Sequence, residues 1–299
     1  MDSESDDYNE RILEELFYDL DKLPSTWHSL KDAEYSIHTI VQKSFMNFFN
    51  CLPTSKQEDE NYKNSLLSSL ENMIMAVSHE KVFRFICLKL EAEDELMYTK
   101  CCDLSALKVT PDQLGALEDY SIPLPATIVE LASLDLHETP ADKLTCLSTA
   151  FDLTLAELKG AIVEVIALTC DNKIPILNVS DITPILATII IHAKPVHLIS
   201  NLYYIENFHW SKNKGSEYLL AFKTAVDKLK VVTVDVLLPR SNRIYCDIGL
   251  EDVMKMTSNA DDKYDQKGQQ ISVPNNPLDR HIEHFTNMIT TSVLDHINI

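Results

Sequence analysis

Residues 180–195 read SDITPILATIIIHAKP, and the fold turns on what this stretch becomes. Ser180 and Asp181 both suit a helix start, because a short oxygen-bearing side chain accepts from the free amides of the first turn. Pro184 falls within that expected first turn, where a missing N–H costs nothing, and Pro195 closes the run. Between them Ile185, Leu186, Ile189, Ile190 and Ile191 make the segment apolar nearly all round. A helix of that kind is buried. The run is too short for a bilayer, which takes about 20 apolar residues, and its punctuation is that of a helix rather than a strand.

Helical spacing continues on both sides. PVHLISNLYYIENFHW restarts a helix with Leu198, Leu202, Ile205 and Phe208 at three- and four-residue steps, and after the SKNKGSE turn YLLAFKTAVDKLK makes another. Tyr204 and Phe208, one turn apart, read as core packing. Upstream, TPDQL and TPADKL both look like helix starts, with Thr110 and Thr139 as caps and Pro111 and Pro140 at the first helical position. ADKLTCLSTAFDLTLAEL carries an apolar stripe through Leu144, Leu147, Phe151 and Leu155, whereas GAIVEVIALTCDNKIP fits helix and strand alike. In the first half, one stripe runs through Ile12, Leu13, Leu16, Phe17 and Leu20, and a second through Ile37, Ile40, Val41, Phe45, Phe48 and Phe49. After the break at Pro53 come one or two further helices, with Leu66, Leu70, Ile74, Val77 and Phe85 expected to face inward.

Composition narrows the classes. The 299 residues are 45% hydrophobic and contain only five glycines, with no Gly-x-Gly-x-x-Gly and no Gly-x-x-x-x-Gly-Lys run. Scarce glycine argues against phosphate-cradling loops and all-β designs, so the class is all-α. A net charge of −20 repels nucleic acid and anionic membrane, whose binding needs lysine and arginine patches. Seven cysteines show no Cys-x-x-Cys pair and no framework spacing, which suits reduced thiols packed as small hydrophobes. The acidic MDSESDDYNE start is not a signal peptide, and the chain is expected to be cytoplasmic.

Ordinary active-site chemistry is not apparent. No nucleophile elbow marks a serine triad. His281 and His284, with Glu283 between them, lack the metalloprotease spacing, and adjacent Cys101 and Cys102 form no zinc pattern. No metal, cofactor or covalent catalyst is implied.

The ordered set of a capped buried helix, HLISNLYYIENF and YLLAFKTAVDKL is similar to the vacuolar protein sorting 9 domain. That family's pattern runs roughly Ala-Asp-Asp-x-x-Pro, an apolar helix ending in Lys-x-x-x-Pro, Ser-Asn-x-x-Tyr-Ile-x-x-Phe, then Tyr-Tyr-x-Thr and an apolar helix. TPADKLTCLSTAFDLTL resembles its Pro-x-x-Lys-Leu-x-Cys-Leu helix. The resemblance spans about residues 139–230 and implies a layered helical domain that receives a GTPase in a groove. Family members are guanine nucleotide exchange factors for endosomal Rab GTPases, mainly of the Rab 5 subfamily. In them an acidic finger at the front of the buried helix reaches into the nucleotide site, where a carboxylate can compete with phosphate for Mg²⁺ and for the phosphate-binding lysine.

Transferred residue by residue, the family's first aspartate falls on Ser180 and its second on Asp181. Pro184 matches the family proline, and the tyrosine and threonine framing the groove fall on Glu217 and Leu220, while Tyr218 matches the second tyrosine. Asp181 is thus the catalytic candidate, with Ser180, Pro184, Glu217, Tyr218 and Leu220 as candidate GTPase-binding positions. The resemblance implies an exchange factor peripheral to early endosomes and recruited through partners. The competing reading is a catalytically impaired Rab-binding adaptor. The expected organisation is an acidic disordered tail (1–10), a supporting helical bundle (11–138), the domain core (139–235), an extension (236–259), a linker (260–277) and a last amphipathic helix (278–299).

Overall fold

The helical spacing is realised as stacked helices in a computed structural model that describes residues 3–169, 179–210 and 215–240. In chain order they are α1 (Ser3–Asp21), α2 (Leu30–Asn50), the single turn α3 (Thr54–Gln57), α4 (Glu60–Ala106), α5 (Pro125–Ala132), α6 (Pro140–Thr169), α7 (Val179–Ala193), α8 (Leu198–Phe208) and α9 (Ser216–Val231). Short 3-10 turns punctuate the connections, and no strand occurs among the described residues. The class is all-α, as the glycine scarcity and the periodicity require.

Local chemistry sets several helix starts. Ser29 and Asp32 form a reciprocal capping box at α2, and Asp59 accepts from the amides of Asn61 and Tyr62 at α4. Thr139 Oγ1 accepts from the Asp142 amide at 3.1 Å and donates to the Asp142 carboxylate at 2.7 Å, fixing the entry to α6. Pro125 opens α5 from its first turn.

Several elements depart from the sequence expectations for physical reasons. α1 begins at Ser3, inside the acidic stretch, and acids in a first helical turn interact favourably with the helix dipole. α4 is one 47-residue helix, because no glycine or proline interrupts residues 60–106; Val77 on it points to solvent rather than inward. TPDQL yields only the 3-10 turn Asp112–Leu114, ended by Gly115 at φ 97°, a backbone conformation that glycine adopts without cost. The ambiguous GAIVEVIAL continues α6 as helix to Thr169, while residues 170–178 lie outside the described ones. α7 starts at Val179, so Pro184 sits inside the helix rather than in its first turn, and its ring removes one backbone hydrogen bond there.

Two apolar cores share α8. Leu16, Leu20, Ile37, Val41, Ile74, Phe85 and Ile86 from α1, α2 and α4, with Trp27 between α1 and α2, close around Tyr204 and Phe208 of α8. The opposite side of α8, through Leu198, Leu202 and Ile205, joins a second core with α5, α6, α7, α9 and the C-terminal end of α4. The N-terminal bundle is thereby welded onto the later helices.

Buried polar contacts fix the same seam. Asp94 of α4 accepts from the amides of Ile199 and Ser200 and from Ser200 Oγ, at 2.7, 3.2 and 2.5 Å. Glu71 takes His209 Nδ1 at 2.5 Å and the Trp210 amide at 3.2 Å. Among the described residues no single helix is long and apolar enough to cross a membrane; α7 and α8 pass on composition only as a pair, turn 120° at their break, and are largely buried. The regions expected as linker (260–277) and last helix (278–299), with His281, Glu283 and His284, lie outside the described residues, as does the extension beyond 240.

Candidate functional site

α7 and α9 pack along one another, and both end against the same part of α4. Lys100 Nζ donates to the Lys230 carbonyl at the end of α9. The next residue, Cys101, lies within electrostatic reach of Lys194 at the end of α7. The two helices therefore run in the same direction, and their N-terminal turns open on the same side of the molecule. That front edge carries Asp181 from α7, and Glu217, Tyr218 and Leu220 from α9. α6 runs beneath it, with the Phe151 ring 5.3 Å from the Tyr218 ring in an edge-on contact.

The sequence candidates fare differently within this edge. Leu220 is 65% exposed, and Glu217 is exposed beside it. The Glu217 carboxylate also accepts from the Gly215 amide at 3.3 Å, which ties the turn before α9. Tyr218 is half-buried against Phe151. Pro184 is buried; its carbonyl accepts from Thr188 Oγ1 at 2.9 Å. Asp181 is only 5% exposed. The side chain of Ser180 is outside the described ones. The first turn of α9 thus presents an apolar side chain flanked by an acid, while Asp181 at the start of α7 is sunk.

A distant part of the chain comes near Asp181. The 109–120 segment runs back along α7, from Val109, whose carbonyl lies 3.0 Å from His192 Nε2, to Tyr120 beside Asp181. Burial, with the Asp181 and Asp119 carboxylates, pushes the Tyr120 phenol up from its usual range. The Tyr120 hydroxyl is fully buried and has no hydrogen-bond partner. Such an orphan is costly.

Sequence reasoning assigned no role at the site to Tyr120, Phe151, Gly215 or Lys143. Two of them carried a signal. Gly215 is one of five glycines and stands directly before a helix; its φ is 134°, and an added Cβ would meet Leu144 Cδ2 at 3.1 Å. Lys143 is the lysine of TPADKL, and it is completely buried, donating to the Leu134 carbonyl at 3.1 Å with the Phe83 ring 4.5 Å from its ammonium. Nothing local marked Tyr120 or Phe151.

Residues 125–233 match the family model of the Vacuolar sorting protein 9 (VPS9) domain. The match begins at Pro125 and so includes α5. A Receptor-mediated endocytosis protein 6 from Caenorhabditis briggsae is 32% identical over 130 residues, covering 42% of this chain and 10% of that protein. Its Caenorhabditis elegans counterpart is 31% identical over 113 residues, or 37% of this chain and 9% of that protein. GTPase-activating protein and VPS9 domain-containing protein 1 from Homo sapiens is 26% identical over 112 residues, 37% of this chain and 7% of that protein. The match thus spans a tenth or less of the length of these curated relatives.

Proposed function

We propose that the α7–α9 front edge binds a small GTPase of the Rab 5 subfamily and promotes release of its GDP, within endocytic trafficking at early endosomes. The observation that carries this reading is that, inside the segment matching the VPS9 domain, α7 and α9 open together with Leu220 uncovered and acids beside it. The naming of two relatives for receptor-mediated endocytosis supports the cellular setting. Leu220 and Tyr218 give apolar contact to the GTPase, and Asp181 supplies the negative charge. Exchange of this kind binds the nucleotide-free state more tightly than the loaded one, and no bond in the factor is made or broken. Because Asp181 is 5% exposed, the first turn of α7 opens to let the carboxylate reach the nucleotide site.

The same burial favours a second reading, a Rab-binding adaptor without exchange activity. A serine at 180 removes one negative charge from the edge, and a sunken Asp181 leaves binding to Leu220, Glu217 and Tyr218.

Fluorescent GDP release from a panel of Rab proteins separates the two. For an exchange factor, the wild type accelerates release from a Rab 5 subfamily member and Asp181→Asn lowers that acceleration at least tenfold. Ser180→Asp, which restores an acid at the register position, raises it. If release stays at the intrinsic rate while the GTPase is still captured, and Leu220→Asp abolishes capture, the adaptor reading stands. Neither release nor capture across the panel removes both.

A further inference from the structure

Away from the front edge, three ligand-bearing side chains of different chemistry converge from three elements. Glu130 lies on α5, His137 just after the 3-10 turn at 134–136, and Cys146 on α6. A carboxylate oxygen, an imidazole nitrogen and the Cys146 sulfur all lie within 4.8 Å of one another. In a tetrahedral site with metal–ligand bonds of about 2.0–2.3 Å, ligand atoms stand roughly 3.3–3.8 Å apart. Side-chain torsions of Glu130 and His137, both only half-buried, are enough to close the difference.

We propose that Glu130, His137 and Cys146 form a binding site for a borderline divalent cation, zinc being the ion their donor set fits. A mixed sulfur, nitrogen and oxygen set with one buried thiol suits zinc, whereas calcium and magnesium require oxygen ligands. Ser133 Oγ stands 3.4 Å from His137 Nε2 and 3.9 Å from Cys146 Sγ, and offers an oxygen as a fourth donor.

Without metal, the Cys146 thiol donates to the Glu130 carbonyl at 3.3 Å. Burial, aided by Glu130, pushes the thiol up to about 12. On binding, that proton passes to solvent and the sulfur becomes a thiolate ligand. Thiolate and carboxylate then balance the two charges of the ion, so the neighbouring Lys143 ammonium faces a neutral centre rather than a cation. The spacing 130, 137, 146 matches no zinc motif in the sequence, because the fold rather than one local segment assembles the set. A bound ion would tie α5, the 134–136 turn and the first half of α6 together.

The test is a cobalt titration of the full reduced chain, followed by the near-ultraviolet thiolate-to-cobalt absorption and by competition with zinc. The expected result is one equivalent bound, displaced by zinc, lost in Cys146→Ala and weakened at least tenfold in His137→Ala and Glu130→Gln. Affinity should rise with pH, because the thiol releases a proton on binding, and zinc should raise the melting temperature of the wild type alone. Should Cys146→Ala fail to fold, the two variants at half-buried positions decide the matter. A missing absorption overturns the proposal; so does one of full strength in folded His137→Ala and Glu130→Gln, which would assign the metal to other cysteines.

Discussion

The ammonium of Lys143 has no water around it, and its stabilising contacts are one carbonyl and one aromatic face. Burial lowers its pKa from the ordinary 10.5 to about 8, against the pull of Asp135 and other acids. That difference is worth about 3 kcal/mol. Below pH 8 both folded and unfolded chains hold the proton, and the folded one bears the full cost of burying it. Between pH 8 and 10.5 the folded lysine is neutral while the unfolded lysine still binds its proton, so stability rises with pH across that window. Cys101 and Cys146, both pushed up to about 12 by burial, act in the opposite sense above pH 9. The readout is therefore the difference between wild type and Lys143→Met in urea unfolding. From pH 7.5 to 10.5 that difference should move in favour of the wild type by about 3 kcal/mol, and a flat difference would show that the charge is not buried. At this scale the sequence placed Asp181, Tyr218 and Leu220 by register alone. It could not say which were open: Asp181 is buried whereas Leu220 is exposed, and neither follows from its register.

Among the elements, those with a cap and a clean apolar stripe were readable in advance. α2, α8 and α9 follow their spacing, and Thr139 caps α6 as TPADKL implies. TPDQL carries the same signature and stops after one 3-10 turn, since the next residue is Gly115 at positive φ and the helix cannot continue through it. Capping chemistry starts helices but does not set their length. The run from Glu60 to Ala106 shows the converse: with no breaker, the helix ends only at Leu107. The start of α9 depends on Gly215, whose φ of 134° and close approach to Leu144 leave no room for a side chain. Gly215→Ala should therefore cost about 1–3 kcal/mol. It should also displace the first turn of α9, weakening capture of the GTPase more than the stability loss alone predicts. Chemical denaturation and binding measured side by side check this, and an alanine variant matching wild type in both would deny the turn its role.

For the whole molecule, the matched segment and the N-terminal bundle make one folding unit. The VPS9 match begins at Pro125, yet Tyr204 and Phe208 of that segment are wholly buried against residues of α1, α2 and α4. Tyr204 sits against His79 and Phe83, and the chain of rings continues through Phe208 to Trp210 and His38. Asp94 supplies the acceptors for the free amides at the start of α8, a service that helix cannot provide for itself. A fragment of residues 125–233 would expose that aromatic row and leave those amides uncapped. Each large ring uncovered forfeits about 1.5–3 kcal/mol, against a total stability of about 5–15 kcal/mol for a typical domain. The fragment should consequently be molten, binding a hydrophobic dye and lacking near-ultraviolet dichroism, whereas residues 1–250 should unfold in a single transition with coincident fluorescence and dichroism. A fragment of 125–233 that melts cooperatively would mean the bundle is an accessory. Asp94→Ala offers the intermediate case: it should lower the midpoint of the one transition without splitting it, because α8 belongs to both cores at once.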